Sequence, residues 1–251
     1  SYELDVSRFF IFFCLNYTYN GKTYSFNIKV VQEYDGVCTR LASEGCNVIM
    51  IIKNAYNRAA LDMIAPGGRS AGNNCYAFNV DEQVPTEKLE ALLSFLANRY
   101  SGTMGTIHTW VIGNEVNTSK PWHYMGNVTA EMLAAHYARE FRVCYNAIKS
   151  QNAGARVFIS IDQRWNYEDG TRGQFAAREL DWMEQCERRY GCVITPFLTP
   201  QELSIAKCIV GKRLFLFEDG GYAQAERKRL MMAPFELTQE QLSITCLRAS
   251  Y

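Results

Sequence analysis

Trp110-Val111-Ile112-Gly113-Asn114-Glu115 is an apolar, strand-like run that drives into a glycine and stops on an amide and a carboxylate. Residues of high β propensity followed by a turn residue predict a buried strand with a polar tip. A (β/α)8 barrel keeps its chemistry at such tips. A glutamate there serves as a general acid where a second carboxylate lies across from it.

Outward from this segment, short apolar runs alternate with longer amphipathic ones, the βαβα pattern of a parallel sheet covered by helices. Strands are expected at residues 9–15, 47–52, 109–112, 156–161, 192–196 and 213–217, with a seventh at 243–247. Their near-continuous hydrophobicity fits strands buried on both faces. Residues 87–100 place Leu89, Leu92, Leu93 and Leu96 on one helical face, and residues 129–150 do the same with Met132, Leu133, Tyr137, Phe141 and Ile148. Residues 31–44 and 178–189 are read as helices too, with Gly45 and Gly191 placed to stop them. Two long polar loops, 54–84 and 118–128, follow strand ends, where a barrel builds its active face. No repeat or linker interrupts the pattern, so residues 1–251 are expected to form one domain, an α/β (β/α)8 TIM barrel. The barrel is complete if residues 2–6 and 243–247 supply its outer strands, and incomplete or degenerate in its C-terminal third if they do not.

The bulk composition narrows the functions available. The hydrophobic fraction of 48% supports a sizeable core, and 26 basic against 26 acidic residues give no polyanion-seeking excess, so nucleic acid is not an expected partner. The longest apolar stretch, residues 9–15, is far short of the roughly 20 residues of a membrane helix, so no membrane insertion is expected. Nine cysteines without a Cys-x-x-Cys pair argue against zinc ribbons and thioredoxin chemistry. Cys14, Cys144, Cys208 and Cys246 read as core residues, while Cys186 and Cys192 would close a small loop disulfide in an exported protein. His108, His123 and His136 show no metal-ligand spacing, and no Gly-x-Ser-x-Gly elbow is present. Neither metal nor organic cofactor is expected, and oligomeric state does not follow.

Glu218 is the best second carboxylate. It follows Arg213-Leu214-Phe215-Leu216-Phe217 and precedes Asp219-Gly220-Gly221, repeating the arrangement at Glu115. Trp165 offers a flat face for stacking on a sugar ring, or packs in the core. Trp122 and His123, with Tyr124, follow Glu115 closely enough to line a cleft. Asp162 would bind substrate, orient a neighbour or cap a helix, and Tyr222 would hydrogen-bond the Glu218 carboxylate.

Trp-x-x-Gly-Asn-Glu resembles the acid/base strand of the clan A glycoside hydrolases, retaining (β/α)8 barrels with Asn-Glu after strand four and a nucleophilic Glu after strand seven. Residues 19–27, 112–117, 141–150 and 159–166 are similar to a little-characterised bacterial branch of that clan, and the resemblance runs from about Tyr19 to Asn166. It implies that Glu115 is the acid/base, that Asn114 binds the sugar 2-hydroxyl, and that Glu218 is the nucleophile. Around Glu218 the chain has Phe217-Glu218-Asp219-Gly220-Gly221-Tyr222 where the clan has Ser-Glu-Gln-Gly-Phe. After the sixth strand it has Ile194-Thr195-Pro196-Phe197 where the clan has His-Pro-Tyr. The expectation is a retaining hydrolase of a β-linked oligosaccharide or polysaccharide, secreted or at the cell surface. A carbohydrate-binding barrel that kept the cleft and lost catalysis is the alternative.

Overall fold

The computed structural model describes residues 2–10, 14–46, 48–103, 107–162, 168–171, 173–175, 193–196 and 214–217. In chain order the elements are β1 (Tyr2–Asp5), β2 (Cys14–Tyr19), β3 (Lys22–Asn27), α1 (Ile28–Ser43), β4 (Val48–Lys53), α2 (Gln83–Ala97), β5 (Ile107–Ile112), α3 (Ser119–Trp122), α4 (Ala130–Gln151), β6 (Arg156–Ile159), β7 (Val193–Pro196) and β8 (Leu214–Phe217).

Four strands form a parallel sheet in the order β1-β4-β5-β6. Its register explains the apolar runs. Leu4, Ile52, Ile112 and Ile159 stand side by side across the sheet, each with no exposed surface. The next row, Ile51, Val111 and Phe158, points to the other face and is also buried. The first row belongs to the cluster that includes Leu89, Leu92, Leu93 and Leu96 of α2 and Tyr137, Phe141 and Ile148 of α4. Burying one such aliphatic side chain contributes about 1.5–3 kcal/mol, so the double-sided sheet is the main source of stability. Trp110 is buried with its polar end satisfied: Nε1 donates to Ser101 Oγ at 3.1 Å, and that hydroxyl donates to the Ile107 carbonyl.

The helices expected at 31–44, 87–100 and 129–150 form with modest shifts of their ends. Asn27 caps α1 by accepting from Lys29 N at 3.0 Å, and α1 closes with Cys46 N to Leu41 O at 2.9 Å and Gly45 N to Ala42 O at 3.0 Å. Thr129 caps α4 through Met132 N. Met132, expected on the buried face, is 54% exposed. The buried stripe runs through Leu133, His136, Tyr137, Glu140, Phe141 and Cys144, one residue further round the helix.

Of the strand expected at 9–15, Phe9 and Phe10 are not strand, Cys14 and Leu15 belong to β2, and residues 11–13 lie outside the described residues. Residues Val6–Phe10 form a 3-10 turn, with the Phe9 ring stacked on Tyr34 (centroids 5.7 Å apart) and Phe10 edge-on to Phe26 at 6.0 Å. A short apolar run buried on all sides carries no period that separates strand from turn. The strand of the sheet is instead Tyr2–Asp5. Cys14 opens the antiparallel hairpin β2-β3, which turns at Asn20-Gly21 and lies on α2 with the Tyr17 hydroxyl 3.0 Å from Ser94 Oγ.

Within the strands expected at 192–196 and 213–217, Val193–Pro196 and Leu214–Phe217 form the parallel pair β7-β8, and β7 lies near β6. Among the described residues the parallel strands fall into a sheet of four and this pair. The helix expected at 178–189, the strand expected at 243–247, and Cys186, Cys192, Cys208 and Cys246 lie outside the described residues.

The two long loops pack on each other. Tyr124 N donates to Cys75 O at 3.1 Å, Ala77 N to Tyr124 O at 3.1 Å, and Cys75 N to Pro121 O at 2.9 Å, so the loops pair like short strands. Glycine is required at the contact: a Cβ at Gly67 would stand 2.5 Å from Met125 O, and one at Gly126 would stand 2.7 Å from Gly67 O.

Candidate functional site

The C-terminal edge of the sheet is polar at every strand. Asp5 Oδ1, at the end of β1, accepts from Ser7 N and Ala55 N, both at 3.0 Å. Asn54, after β4, is buried and donates from Nδ2 to Met63 O at 3.0 Å. Both anchor loops. After β5 the chain does something different.

Gly113 N makes the last sheet bond, to Ile52 O at 2.9 Å, while the Ile112 carbonyl accepts from the Tyr137 hydroxyl of α4 at 2.6 Å. The backbone then turns left-handed at Gly113 (φ 74°) and again at Glu115 (φ 43°). A Cβ at Gly113 would meet Val116 Cγ1 at 2.6 Å, which restricts that position to glycine. The turn is held from β6: Glu115 N donates to Ser160 Oγ at 3.4 Å, Val116 N to Ser160 O at 3.1 Å, and Thr118 N closes back on Glu115 O at 2.7 Å. A left-handed non-glycine residue costs about 1–3 kcal/mol and persists where its surroundings over-determine it.

Asn117, fully buried, extends the clamp. Its Oδ1 accepts from Asp162 N at 2.7 Å, its Nδ2 donates to Phe175 O at 3.1 Å, and its backbone carbonyl accepts from Phe175 N at 2.9 Å. Asn114 and Glu115 are therefore half-buried on a turn tied to β4, β6, α4 and the 173–175 segment. Glu115 follows the third strand in the order of the parallel sheet.

The other sequence candidates are distributed as follows. Asp162 is buried beside Asn117, and Trp122 is half-buried in α3. His123 is only 1% exposed, with Nε2 at 3.3 Å from the buried carboxylate Glu140. Tyr124 joins an aromatic row, edge-on to Tyr76 at 6.1 Å, which lies 5.9 Å from Tyr56. Glu218, Trp165 and Tyr222 lie outside the described residues. A cavity of about 410 Å³ opens on the far side of α3, lined by Ser119, Lys120, Asn127, Met132, Gln174 and Phe175 among others. Asn114 and Glu115 do not line it. Sequence reasoning passed over Asn54, Asn117, Ser160 and Glu140. Of these only Glu140 left a signal, as a charged residue at a buried position of the α4 stripe.

Among solved structures, a glucosidase from Croceicoccus marinus matches with a TM-score of 0.50 at 14% identity, over 83% of this chain and 43% of that one. A GH39 β-xylosidase from Caulobacter crescentus gives 0.46 at 12% identity, covering 86% and 48%, and a fungal β-1,4-galactanase 0.46 at 15%, covering 76% and 57%. The chain thus spans less than half of the glucosidase, and over that part the two share a parallel-sheet α/β fold. The class is an α/β fold built on a parallel sheet. The chain belongs to the family of unknown function DUF5722, whose pattern matches residues 3–193. A second pattern, the N-terminal part of YlmH, matches residues 172–237. No curated protein matches the chain. Asn114, Glu115, Trp122, His123, Asp162 and Trp165 fall within the DUF5722 match, whereas Glu218 and Tyr222 fall beyond its end.

Proposed function

We propose that this chain carries the acid/base half of a retaining glycoside hydrolase acting on a β-linked glycan or glycoside. The observation that carries it is Glu115, held left-handed and half-buried at the C-terminal edge of a parallel sheet. The fold shared with the glucosidase supports it. In this mechanism the Glu115 carboxyl gives its proton to the glycosidic oxygen as the bond to the anomeric carbon breaks, and a second carboxylate forms the glycosyl ester. Glu115, now ionised, takes a proton from water, which attacks the anomeric carbon and releases the second carboxylate. Asn114 holds the sugar 2-hydroxyl, a contact that strengthens as positive charge develops on the ring. Glu218 is the second carboxylate by its place after β8, and Trp122, Trp165, Asp162 and Tyr222 are assigned to substrate contact.

The test is hydrolysis of aryl β-glycosides with good leaving groups by the chain and by Glu115→Gln and Glu218→Gln. Loss of about 10²–10⁴-fold in kcat is expected for each. Azide should restore turnover in one of them and so identify its role. Full activity in both variants would refute the assignment.

A second reading is favoured by one observation, that the family match ends at residue 193, ahead of Glu218. On that reading the chain binds a β-linked oligosaccharide without cleaving it. Calorimetry showing saturable binding, with no product formed by the unmodified chain, would select it.

A further inference from the structure

Helix α4 buries a carboxylate. Glu140 has no exposed surface and sits on the stripe that carries Leu133, Tyr137, Phe141 and Cys144. A buried carboxylate is tolerated where donors converge on it. Phe78 N donates to its Oε2 at 3.1 Å, and two imidazole nitrogens lie close to the same oxygen, His123 Nε2 at 3.3 Å and His136 Nε2 at 3.7 Å. His136 Nε2 is also 2.9 Å from the Phe78 carbonyl oxygen, and because a carbonyl only accepts, that nitrogen carries a proton. One helical turn apart, His136 and Glu140 therefore hold the C=O and N–H of Phe78 as a neighbouring strand would. This accounts for His136 and leaves His123.

His123 comes from the loop after Glu115 and reaches back beneath it. Its ring lies under Gly113, where an added Cβ would stand 3.5 Å from Nδ1. The same ring packs edge-on against Tyr137, with centroids 5.3 Å apart at 83°, and Tyr137 holds the Ile112 carbonyl. Glu140, His123 and Tyr137 thus form a continuous buried support from α4 to the two residues ahead of Asn114-Glu115. The other titratable groups facing it are Asp81, 3.4 Å from His136 Nδ1 and paired with Arg139 at 2.5 Å, and the Cys144 thiol. Burial first, and then the Glu140 charge, hold that thiol well above its usual range.

We infer that His123 and Glu140 are positioning residues for Glu115: the carboxylate, 3.3 Å from Nε2, and the Tyr137 ring together confine the His123 ring, and the confined ring sets the left-handed turn that carries Glu115. For catalysis this rests on Glu115 being the acid/base; for the turn it does not. His123 is then a support of the site rather than a substrate contact.

Amide hydrogen exchange separates a local support from a general structural one. In His123→Phe and Glu140→Met, exchange at the Gly113 and Val116 amides, bonded to Ile52 O and Ser160 O, should rise about tenfold or more. Trp110 and Val111 should keep their protection. Glu140→Gln, which retains an acceptor oxygen, should recover most of what Glu140→Met loses. Exchange that rises equally throughout the sheet, or at none of these amides, would overturn the inference. Against an aryl glycoside the same variants should lower kcat about 10–100-fold with KM within about threefold, as expected for misplacement of a reacting group. Unchanged kcat beside selectively raised exchange would overturn the catalytic half. Absence of hydrolysis by the unmodified chain would instead refute the glycosidase reading, and the exchange data would still decide the support.

Discussion

Gly113→Ala tests whether the turn after β5 is built as described. Two costs add. At φ 74° an alanine adopts a left-handed conformation that glycine reaches freely, at about 1–2 kcal/mol. Its Cβ would also lie 2.6 Å from Val116 Cγ1, when carbon atoms pack at about 3.5–4.0 Å, so Val116 must give by about 1 Å. Val116 is 1% exposed and part of the core cluster, and overpacking of that kind costs about 1–3 kcal/mol. The sum is about 2–5 kcal/mol, a large share of the about 5–15 kcal/mol that stabilises a typical domain. Thermal midpoints should fall by about 4–20 °C at roughly 2–4 °C per kcal/mol. Urea unfolding followed by far-UV circular dichroism gives the free energy directly. The double variant Gly113→Ala/Val116→Ala isolates the steric part: removing Cγ1 should recover about 1–3 kcal/mol relative to additivity and leave the backbone part in place. A Gly113→Ala protein within about 0.5 kcal/mol of the parent, or strictly additive single variants, would refute both the left-handed geometry and the contact.

Glu115→Gly relieves about 1–3 kcal/mol of left-handed strain against about 0.4–1 kcal/mol of extra unfolded-state entropy, so the same urea assay reads any shortfall from a net gain as the side chain's own contribution to the fold. A loss of more than about 1 kcal/mol would show that the carboxylate serves the fold. Native alkylation read by peptide mass spectrometry should label the exposed Cys46 and spare Cys38 and Cys75, whose thiols burial pushes up to about 11. Labelling of Cys38 or Cys75 at the Cys46 rate would contradict their burial. Arg99 grips Asp35 with two hydrogen bonds of 2.7 and 2.6 Å, which hold the Asp35 carboxyl below its usual range. A depressed folded value stabilises above the unfolded value of about 3.9 and is lost as pH falls through the folded one. Asp35→Asn should therefore cost about 0.5–1 kcal/mol at pH 7 for this partly exposed pair, and close to nothing near pH 2. An equal cost at both pH values would remove the ion pair from the account.

What the sequence made legible follows from period and from length. Buried strands such as Val48–Lys53 and Ile107–Ile112 announce themselves because both their faces are covered, and α2 and α4 because their stripes repeat every three to four residues. The run from Phe9 has neither property: Phe9 and Phe10 pack on α1 and the hairpin through Tyr34 and Phe26, an environment set by tertiary packing. The hairpin itself had a local signal in Asn20-Gly21, a dipeptide that suits a two-residue turn with positive φ at both positions. At the site, the Gly113-Asn114-Glu115 turn was visible because a strand ran into it. Its supports were not, since Ser160, Asn117 and Glu140 act across 45, 45 and 62 residues on Glu115, Asp162 and Phe78. Nor did the glycines at 67 and 126 suggest their reason, which is the backbone of the other loop.

The distribution of bonds around residue 115 bears on why a glutamate is there at all. Four hydrogen bonds hold the turn: Gly113 N to Ile52 O, Glu115 N to Ser160 Oγ, Val116 N to Ser160 O, and Thr118 N to Glu115 O. Each uses a backbone group of the turn. Glycine, or asparagine, would make the same four bonds at lower conformational cost. Strain kept where folding would be served better by another residue points to what the side chain does. At Asp5 and Asn117, by contrast, the polar side chain is itself the fastener, and replacing it would undo the loops it binds. At the edge of the sheet, Asp5 and Asn117 thus hold loops through their side chains, while the turn at Glu115 is held through its backbone groups, so replacing the Glu115 side chain leaves those four bonds in place and reads its own contribution separately.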